Sequence, residues 1–409
     1  MGVVPQEHTR RTCNNKMMKI LHTVEFYHPS VGGMQEVVKQ ISERLARLGH
    51  EVTVATNKMP DRTEKVVNGV KIVGFSISGN LVRGLSGDIK SYSNYLIRSD
   101  FDVITNFAAQ QWATDIMITM LDRIKAKKVF VPTGFSGLYD RKYRSYFASM
   151  MEWMKQYDMN VFLSDTYRDM TFAREHGIEN RTVIPNGASE DEFIPETSID
   201  IRTMLGIPKD HFLVLHVGAH TGLKGHRDIF KIFSRARMKN ATMLIVANDF
   251  GKWCTQECRI RKLLFSGRTK HQLAGKQVLV TSLSRPDTVA AYKAADLFLF
   301  PSNIECSPLV LFECMASQTP FLTTNAGNAA EIVEWSKGGI VLPTRIKRGG
   351  YSKALINSST RMLEDLYESP QLRKRMQENG FQAWQERFTW GKIAGVYETL
   401  YRTLLKGAV

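Results

Sequence analysis

Two glutamates with seven residues between them, Glu305 and Glu313, flank the start of an apolar run that begins at Leu309. A strand over Leu297 to Phe300 leads through Pro301, Ser302, Asn303, Ile304, Glu305, Cys306 and Ser307 to Pro308. Ser307 suits the N-cap of the following helix, and Pro308 suits its first position, where a missing N–H costs nothing. The N–H groups of Leu309 and Val310 then point outward, and free donors at a helix N-terminus attract phosphate. Glu305 sits at that mouth, with Glu313 about one to two turns inside. Carboxylates beside a phosphate site are expected to bind hydroxyls rather than the phosphate itself. The spacing alone is equally compatible with a solvated Glu305 and a Glu313 paired with a surface lysine.

Metal-binding patterns are weaker. Asp100-Phe101-Asp102 has the spacing of a metal-binding acidic pair but precedes its strand instead of following one. Cys254 and Cys258 lie one helical turn apart, but a zinc site needs about four ligands and no second pair at suitable spacing is read, so ordinary thiols are expected. His216, His220 and His226 are not read as a metal site because no acidic or thiolate partner is indicated. The expectation is therefore no bound metal. Neither a Walker Gly-Lys-Ser nor a GxGxxG fingerprint is present.

Positioning these residues requires an alternation of strands and helices. Short β-branched runs occur at Met18 to Glu25, His50 to Asn57, Val70 to Phe75, Asp102 to Phe107, Lys128 to Pro132, Asn160 to Ser164 and Thr182 to Pro185. A second series follows Ile194 to Pro208, at Phe212 to Val217, Met243 to Ala247, Gln277 to Thr281, Leu297 to Pro301, Pro320 to Thr323 and Gly339 to Leu342. Such alternation predicts an α/β fold with parallel sheets covered on both faces. Val37, Val38, Ile41, Leu45 and Leu48 repeat at helical spacing before a stop at Gly49. Two series predict two Rossmann-like domains facing each other across a cleft, over 17–195 and 196–387, with ligands beyond the C-terminal strand ends. Residues 388–409 are expected to form a helix packing back on the N-terminal domain, and Met1 to Lys16 a loose arm.

A length of 409 residues suits two domains, and 43% hydrophobic with 23% charged residues excludes a wholly disordered or fibrous chain. No uncharged apolar run approaches the roughly 18–20 residues that span a bilayer. Five scattered cysteines fit a reducing cytoplasm. A formal charge of +15 favours anionic partners, but without a recognition motif nucleic acid is not expected. Between Tyr139 and Tyr157, Arg141, Lys142, Arg144 and Lys155 mix with Tyr143, Tyr146, Phe147, Met150, Met151, Trp153 and Met154. Such a helix either lies on an anionic membrane, aromatics below the headgroups, or is a domain helix whose apolar side is core.

Together with Pro301-Ser302 and the two glutamates, Met315-Ala316, Pro320, Gly327 and Glu331-Ile332-Val333 form a run that resembles the family 4 retaining glycosyltransferases of GT-B fold. Gly32-Gly33 with Leu48-Gly49-His50-Glu51-Val52, Ile184-Pro185-Asn186-Gly187 with Phe193, Gly218 with Lys224-Gly225, and Tyr292 with Ala295-Asp296 follow the family's order. The resemblance covers nearly the whole chain from Met18. It implies transfer of a hexose-like sugar from a UDP- or GDP-type nucleotide sugar, with no permanently bound cofactor, to a glycan or lipid-linked acceptor at the cytoplasmic face of a membrane. Glu313 would hold ribose hydroxyls, Glu305 the transferred sugar, and Lys224 the diphosphate. Gly32, Gly33, Gly218, His220, Gly225, Ser307, Leu309 and Val310 would complete the donor site, with Glu305 and Lys224 as the catalytic pair and Asn106 and Gly134 in the acceptor cleft.

Departures from the family are Ala219 where an Arg is common, Thr105, Asn106 and Phe107 where a His is frequent, and Pro308 where Gly is frequent. They leave His220 to replace the missing charge and no general base near Asn106. A retaining transfer tolerates that loss, because the family lets the leaving diphosphate take the acceptor's proton. The alternatives are a non-catalytic sugar-nucleotide-binding homologue that assists a partner transferase, and a sugar-nucleotide epimerase on the same fold.

Overall fold

The computed structural model describes residues 16–248, 252–347 and 349–407, so the expected arm lies outside them apart from Lys16. The first half contains strands β1 (Lys19–Thr23), β2 (Glu51–Asn57), β3 (Val66–Val67), β4 (Val70–Phe75), β5 (Ile77–Asn80), β6 (Gly84–Gly87), β7 (Val103–Phe107), β8 (Lys127–Val131), β9 (Met159–Phe162) and β10 (Arg181–Val183). Eight of them form one sheet in the order β10-β9-β8-β7-β1-β2-β4-β3, parallel except for β3 on β4, while β5 and β6 make a separate hairpin. The second half builds a wholly parallel sheet, β13-β12-β11-β14-β15-β16, from β11 (Phe212–Val217), β12 (Ala241–Val246), β13 (Lys276–Thr281), β14 (Leu297–Phe300), β15 (Phe321–Thr323) and β16 (Gly339–Val341). A small antiparallel pair, β17 (Thr344–Lys347) and β18 (Tyr351–Ala354), follows. This is the GT-B arrangement of two Rossmann-like halves.

Inner strands of both sheets are buried on both faces because helices cover them, as in Val103–Phe107 and Leu297–Phe300. Each sheet separates two apolar clusters, one per face. Helix Gly33–Arg47 buries Val37, Val38, Ile41 and Leu45 against β1 and β2, whereas Leu48 of the expected stripe is exposed. Gly49 takes φ +91 there. His50 N–H donates to Leu45 and Gly49 N–H to Ala46, a Schellman stop that turns the chain straight into β2. Helix Trp390–Leu405 returns to the first sheet, placing Trp390, Ile393, Tyr397, Tyr401 and Leu404 in the same cluster. The chain therefore crosses between halves twice, and the crossings touch: Ala188 N–H donates to the Phe388 carbonyl at 3.0 Å, with a parallel bridge from Ala188 to Thr389.

The aromatic-basic segment packs inward. In helix Arg144–Gln156, Tyr146, Phe147, Met150 and Met154 are buried, as is Tyr143 just before it. Of the two alternatives the structure shows the domain helix: these side chains are core, Met151 and Trp153 are half-buried against it, and Arg141, Lys142, Arg144 and Lys155 are exposed together with Tyr139. Among the described residues no helix is long and apolar enough to cross a membrane.

Candidate active site

In the second sheet, β11 leads to strands on one side and β14 to strands on the other, so the loops leaving these neighbours open a crevice at the switch point. The loop after β11 carries Gly218 to Gly225, and the loop after β14 carries Pro301 to Pro308. They lie against each other because Gly225 adopts φ +76, and a Cβ there would stand 2.0 Å from the Pro301 carbonyl oxygen. That contact brings Lys224 onto Glu305, with Nζ at 2.7 and 3.0 Å from the two carboxylate oxygens. The Ser302 hydroxyl also donates to Glu305, at 2.6 Å.

Glu313 faces the same cleft from helix Leu309–Ala316, held 2.6 Å from Arg285 Nη1. Arg285 opens helix Arg285–Ala294, which Ser284 caps, and it also pairs bidentately with Glu192. Burial opposes the Arg285 charge, but Glu313 and Glu192 outweigh it and hold its pKa above the usual range. Pro308 itself is the N-cap of the Leu309 helix, which corrects the expected Ser307 cap. Ser307 instead keeps a buried hydroxyl without a hydrogen-bond partner, while its carbonyl accepts from Asn186 at 3.1 Å.

The cleft holds about 590 Å³ and is lined from both halves. Gly32, Gly33, Lys224, Glu305, Ser307, Leu309, Val310 and Glu313 all border it. A Cβ on Gly33 would meet nothing within 4 Å, so the N-terminus of helix Gly33–Arg47 opens directly onto the space. Gly218 lies behind the loop, where a Cβ would press on His216 Nε2 and the Lys224 stem.

Three expected residues sit elsewhere. His220 turns away from the cleft into a buried group with His226 and Cys258, which corrects its reading as a substitute phosphate charge. Asn106 is in the core, donating to Thr23 Oγ1 at 2.6 Å and accepting from the Tyr157 hydroxyl at 2.7 Å. Gly134, at φ +94, lies where a Cβ would strike Cys306 and Tyr167, so it allows the halves to touch and does not border the space.

Residues that sequence reasoning did not assign complete the site. Arg285 borders the cleft as a further cation, paired with Glu192 and Glu313. Glu331, noted only as part of a motif, fastens the halves together. It accepts from the Ser164 hydroxyl at 3.0 Å, from Asp165 N–H at 3.2 Å and from Thr166 N–H at 2.7 Å. Nearby, Tyr167 donates to the Glu305 carbonyl at 2.6 Å, so the loop carrying the site glutamate is braced from the opposite half.

Residues 31–192 match the family description "Glycosyltransferase Family 4", and residues 198–383 match "Glycosyl transferases group 1". The chain belongs to the family 4 glycosyltransferases. It is 21% identical over 404 residues to N-acetyl-alpha-D-glucosaminyl L-malate synthase of Bacillus anthracis, covering 93% of this chain and 96% of that protein. Lipopolysaccharide glucosyltransferase WaaG of Escherichia coli is 24% identical over 366 residues, covering 83% of this chain and 93% of that protein. Among solved structures, Anabaena Alr3699/HepE in complex with UDP and glucose superposes with a TM-score of 0.70 at 16% identity, covering 94% of this chain and 100% of that one.

Proposed function

We propose that this glycosyltransferase moves a hexose-like sugar from a UDP- or GDP-type nucleotide sugar to a glycan or lipid-linked acceptor, with retained anomeric configuration. The observation that carries the reading is the convergence of Lys224 with Glu305, Arg285 with Glu313, and two helix N-termini from opposite halves on one cleft. The diphosphate takes the N–H groups of Leu309 and Val310, the buried Ser307 hydroxyl, and Lys224 swung away from Glu305. Glu305 then accepts from hydroxyls of the sugar, and Glu313 from those of the ribose. The relatives' names support saccharide chemistry, and the UDP and glucose bound by the similarly folded Anabaena HepE support a nucleotide-sugar donor.

In the reaction the bond from sugar C1 to the diphosphate oxygen breaks. The acceptor oxygen bonds C1 on the same face, and its proton passes to the departing diphosphate. That route needs no side-chain base, which agrees with Asn106 lying in the core. Lys224, Arg285 and the helix termini meet the charge that develops on the leaving group, so added Mg2+ or Mn2+ leaves turnover unchanged. Toward a lipid-linked acceptor, the exposed Arg141, Lys142, Arg144 and Lys155 face the acidic headgroups electrostatically.

A thermal-shift panel of UDP, GDP and their sugars, followed by anomer-resolved NMR of the product, tests the reading, because a ligand bound only to the folded state raises its stability. One base is expected to shift the transition and to support an α-linked product from an α-linked donor. No shift from any nucleotide together with no product, or an inverted product, overturns it.

A further inference from the structure

Behind the Lys224 loop, four side chains that can each give one ligand atom to a transition metal meet in the interior. His220 lies in the loop after β11, His226 opens helix His226–Arg235, and Cys254 and Cys258 share one face of helix Lys252–Ser266. They are 2, 4, 7 and 1% exposed, respectively. The four ligand atoms lie within 4.8 Å of one another. Cys254 Sγ is 3.7 Å from His226 Nδ1, and Cys258 Sγ is 3.9 Å from His220 Nδ1. In a zinc tetrahedron, bonds of about 2.3 Å to sulfur and about 2.0–2.1 Å to nitrogen put adjacent sulfur and nitrogen about 3.6 Å apart. These two sulfur–nitrogen separations need to contract by only a few tenths of an ångström, and no pair of the four ligand atoms starts more than 4.8 Å apart.

We propose that this cluster is a structural zinc site, with His220, His226, Cys254 and Cys258 as its four ligands. The cysteines are therefore not the unpartnered thiols that their spacing alone suggested, nor are the histidines without thiolate partners. Read together, a His-x5-His pair and a Cys-x3-Cys pair have the spacings of structural zinc ligands, although they come from separate segments. Charge supports the assignment: two thiolates neutralise a divalent cation, so the complex is buried without net charge. Each thiol gives up its proton as the metal binds, releasing two protons to solvent. His216, whose ring lies 5.0 Å from that of His226, is outside the set because its ligand atoms do not fall within the group formed by the other four. The soft donor set favours zinc over magnesium or calcium, and four protein ligands leave no open position for substrate.

The site ties the loop bearing Lys224 to helix Lys252–Ser266, which packs against β13. It thus holds the phosphate-binding loop from behind, without entering the cleft.

The test uses the full chain purified without a metal-affinity step, with metal content measured by mass spectrometry. Parent protein grown with zinc is expected to carry about one zinc per chain, and a Cys254→Ser, Cys258→Ser double variant less than about a tenth of that. Cys314→Ser, which removes a buried cysteine outside the cluster, is expected to retain the metal. Should the double variant fail to fold, Co2+ titration of metal-stripped parent gives an independent answer: a tetrahedral thiolate site develops intense visible and thiolate-to-metal absorption bands that added zinc abolishes. Parent protein without stoichiometric zinc and without those cobalt bands overturns the proposal, as does a Cys254–Cys258 disulfide in protein isolated under reducing conditions.

Discussion

Glu305 and Glu313 serve one cleft, but each is held by a different cation, and substitutions should separate their roles. Glu305→Ala frees Lys224, while Glu313→Gln leaves Arg285 to Glu192 alone. Each variant is expected to bind or use the nucleotide sugar roughly tenfold or more worse, the equivalent of about 1.5–3 kcal/mol for a lost charged hydrogen bond, with circular dichroism unchanged. Lys224→Ala is expected to weaken diphosphate binding chiefly, which isothermal titration with the nucleoside diphosphate reads directly. Normal affinity and turnover in a folded variant would remove that residue from the site. A separate residue sets part of the acid limit. His22 is fully buried beneath Ser42 and Tyr401, at 2.7 and 3.2 Å, and burial lowers its pKa to about 3. The unfolded chain takes up the proton near the ordinary value of about 6.5, whereas the folded chain does not until about pH 3. Stability is therefore unaffected above about pH 6.5 and declines as pH falls between those limits, by up to about 1.4 kcal/mol per unit. Urea unfolding of parent and His22→Gln across pH 4–8 should show a shallower acid decline in the variant; identical slopes would exclude the histidine as a cause.

At the scale of elements, Glu331 on helix Ala329–Ser336 reaches across to the loop after β9 and accepts from both its backbone and its hydroxyls. Glu331→Ala strands those donors, and about 2 kcal/mol or more of stability should be lost, seen as a lower melting temperature together with faster proteolysis at the 164–166 loop. The strands that place the site were legible because a strand buried on both faces is a largely apolar run, as in Phe212–Val217, broken only by His216, and Leu297–Phe300. The hairpin Ile77–Asn80 and Gly84–Gly87 was not, since its Ser- and Gly-rich composition carries no such run. The pair Thr344–Lys347 and Tyr351–Ala354 is largely solvated and left no apolar signal either. Within the site, Lys224 came only through the family resemblance, whereas Glu305 and Glu313 could be read from the Pro-marked helix start that they flank. Arg285 could not, as its partners Glu192 and Glu313 come from segments far away along the chain. For the same reason the histidine and cysteine pairs looked unrelated until folding brought helix Lys252–Ser266 over the β11 loop.

For the whole molecule, the last helix belongs to the first half's core. Trp390, Ile393, Tyr397, Tyr401 and Leu404 are all buried there, each worth about 1.5–3 kcal/mol, so together they rival the 5–15 kcal/mol that holds a domain folded. A chain ending at Thr389 is expected to be insoluble or molten, which solubility and near-UV circular dichroism would reveal; a cooperatively folded truncation would contradict this packing. The helix can reach that core only through the second crossing, which lies beside the first at Ala188 and Thr389. Two chain segments laid edge to edge behave as a ribbon rather than a cord: a ribbon flexes across its width but resists torsion. Any opening of the cleft is thereby expected to favour rocking over twisting. Gly187 stands beside that bridge, and a Cβ there would press on the Phe388 carbonyl. A side chain at Gly187 is therefore expected to change how quickly spent nucleotide escapes, although Gly187 does not itself line the cleft.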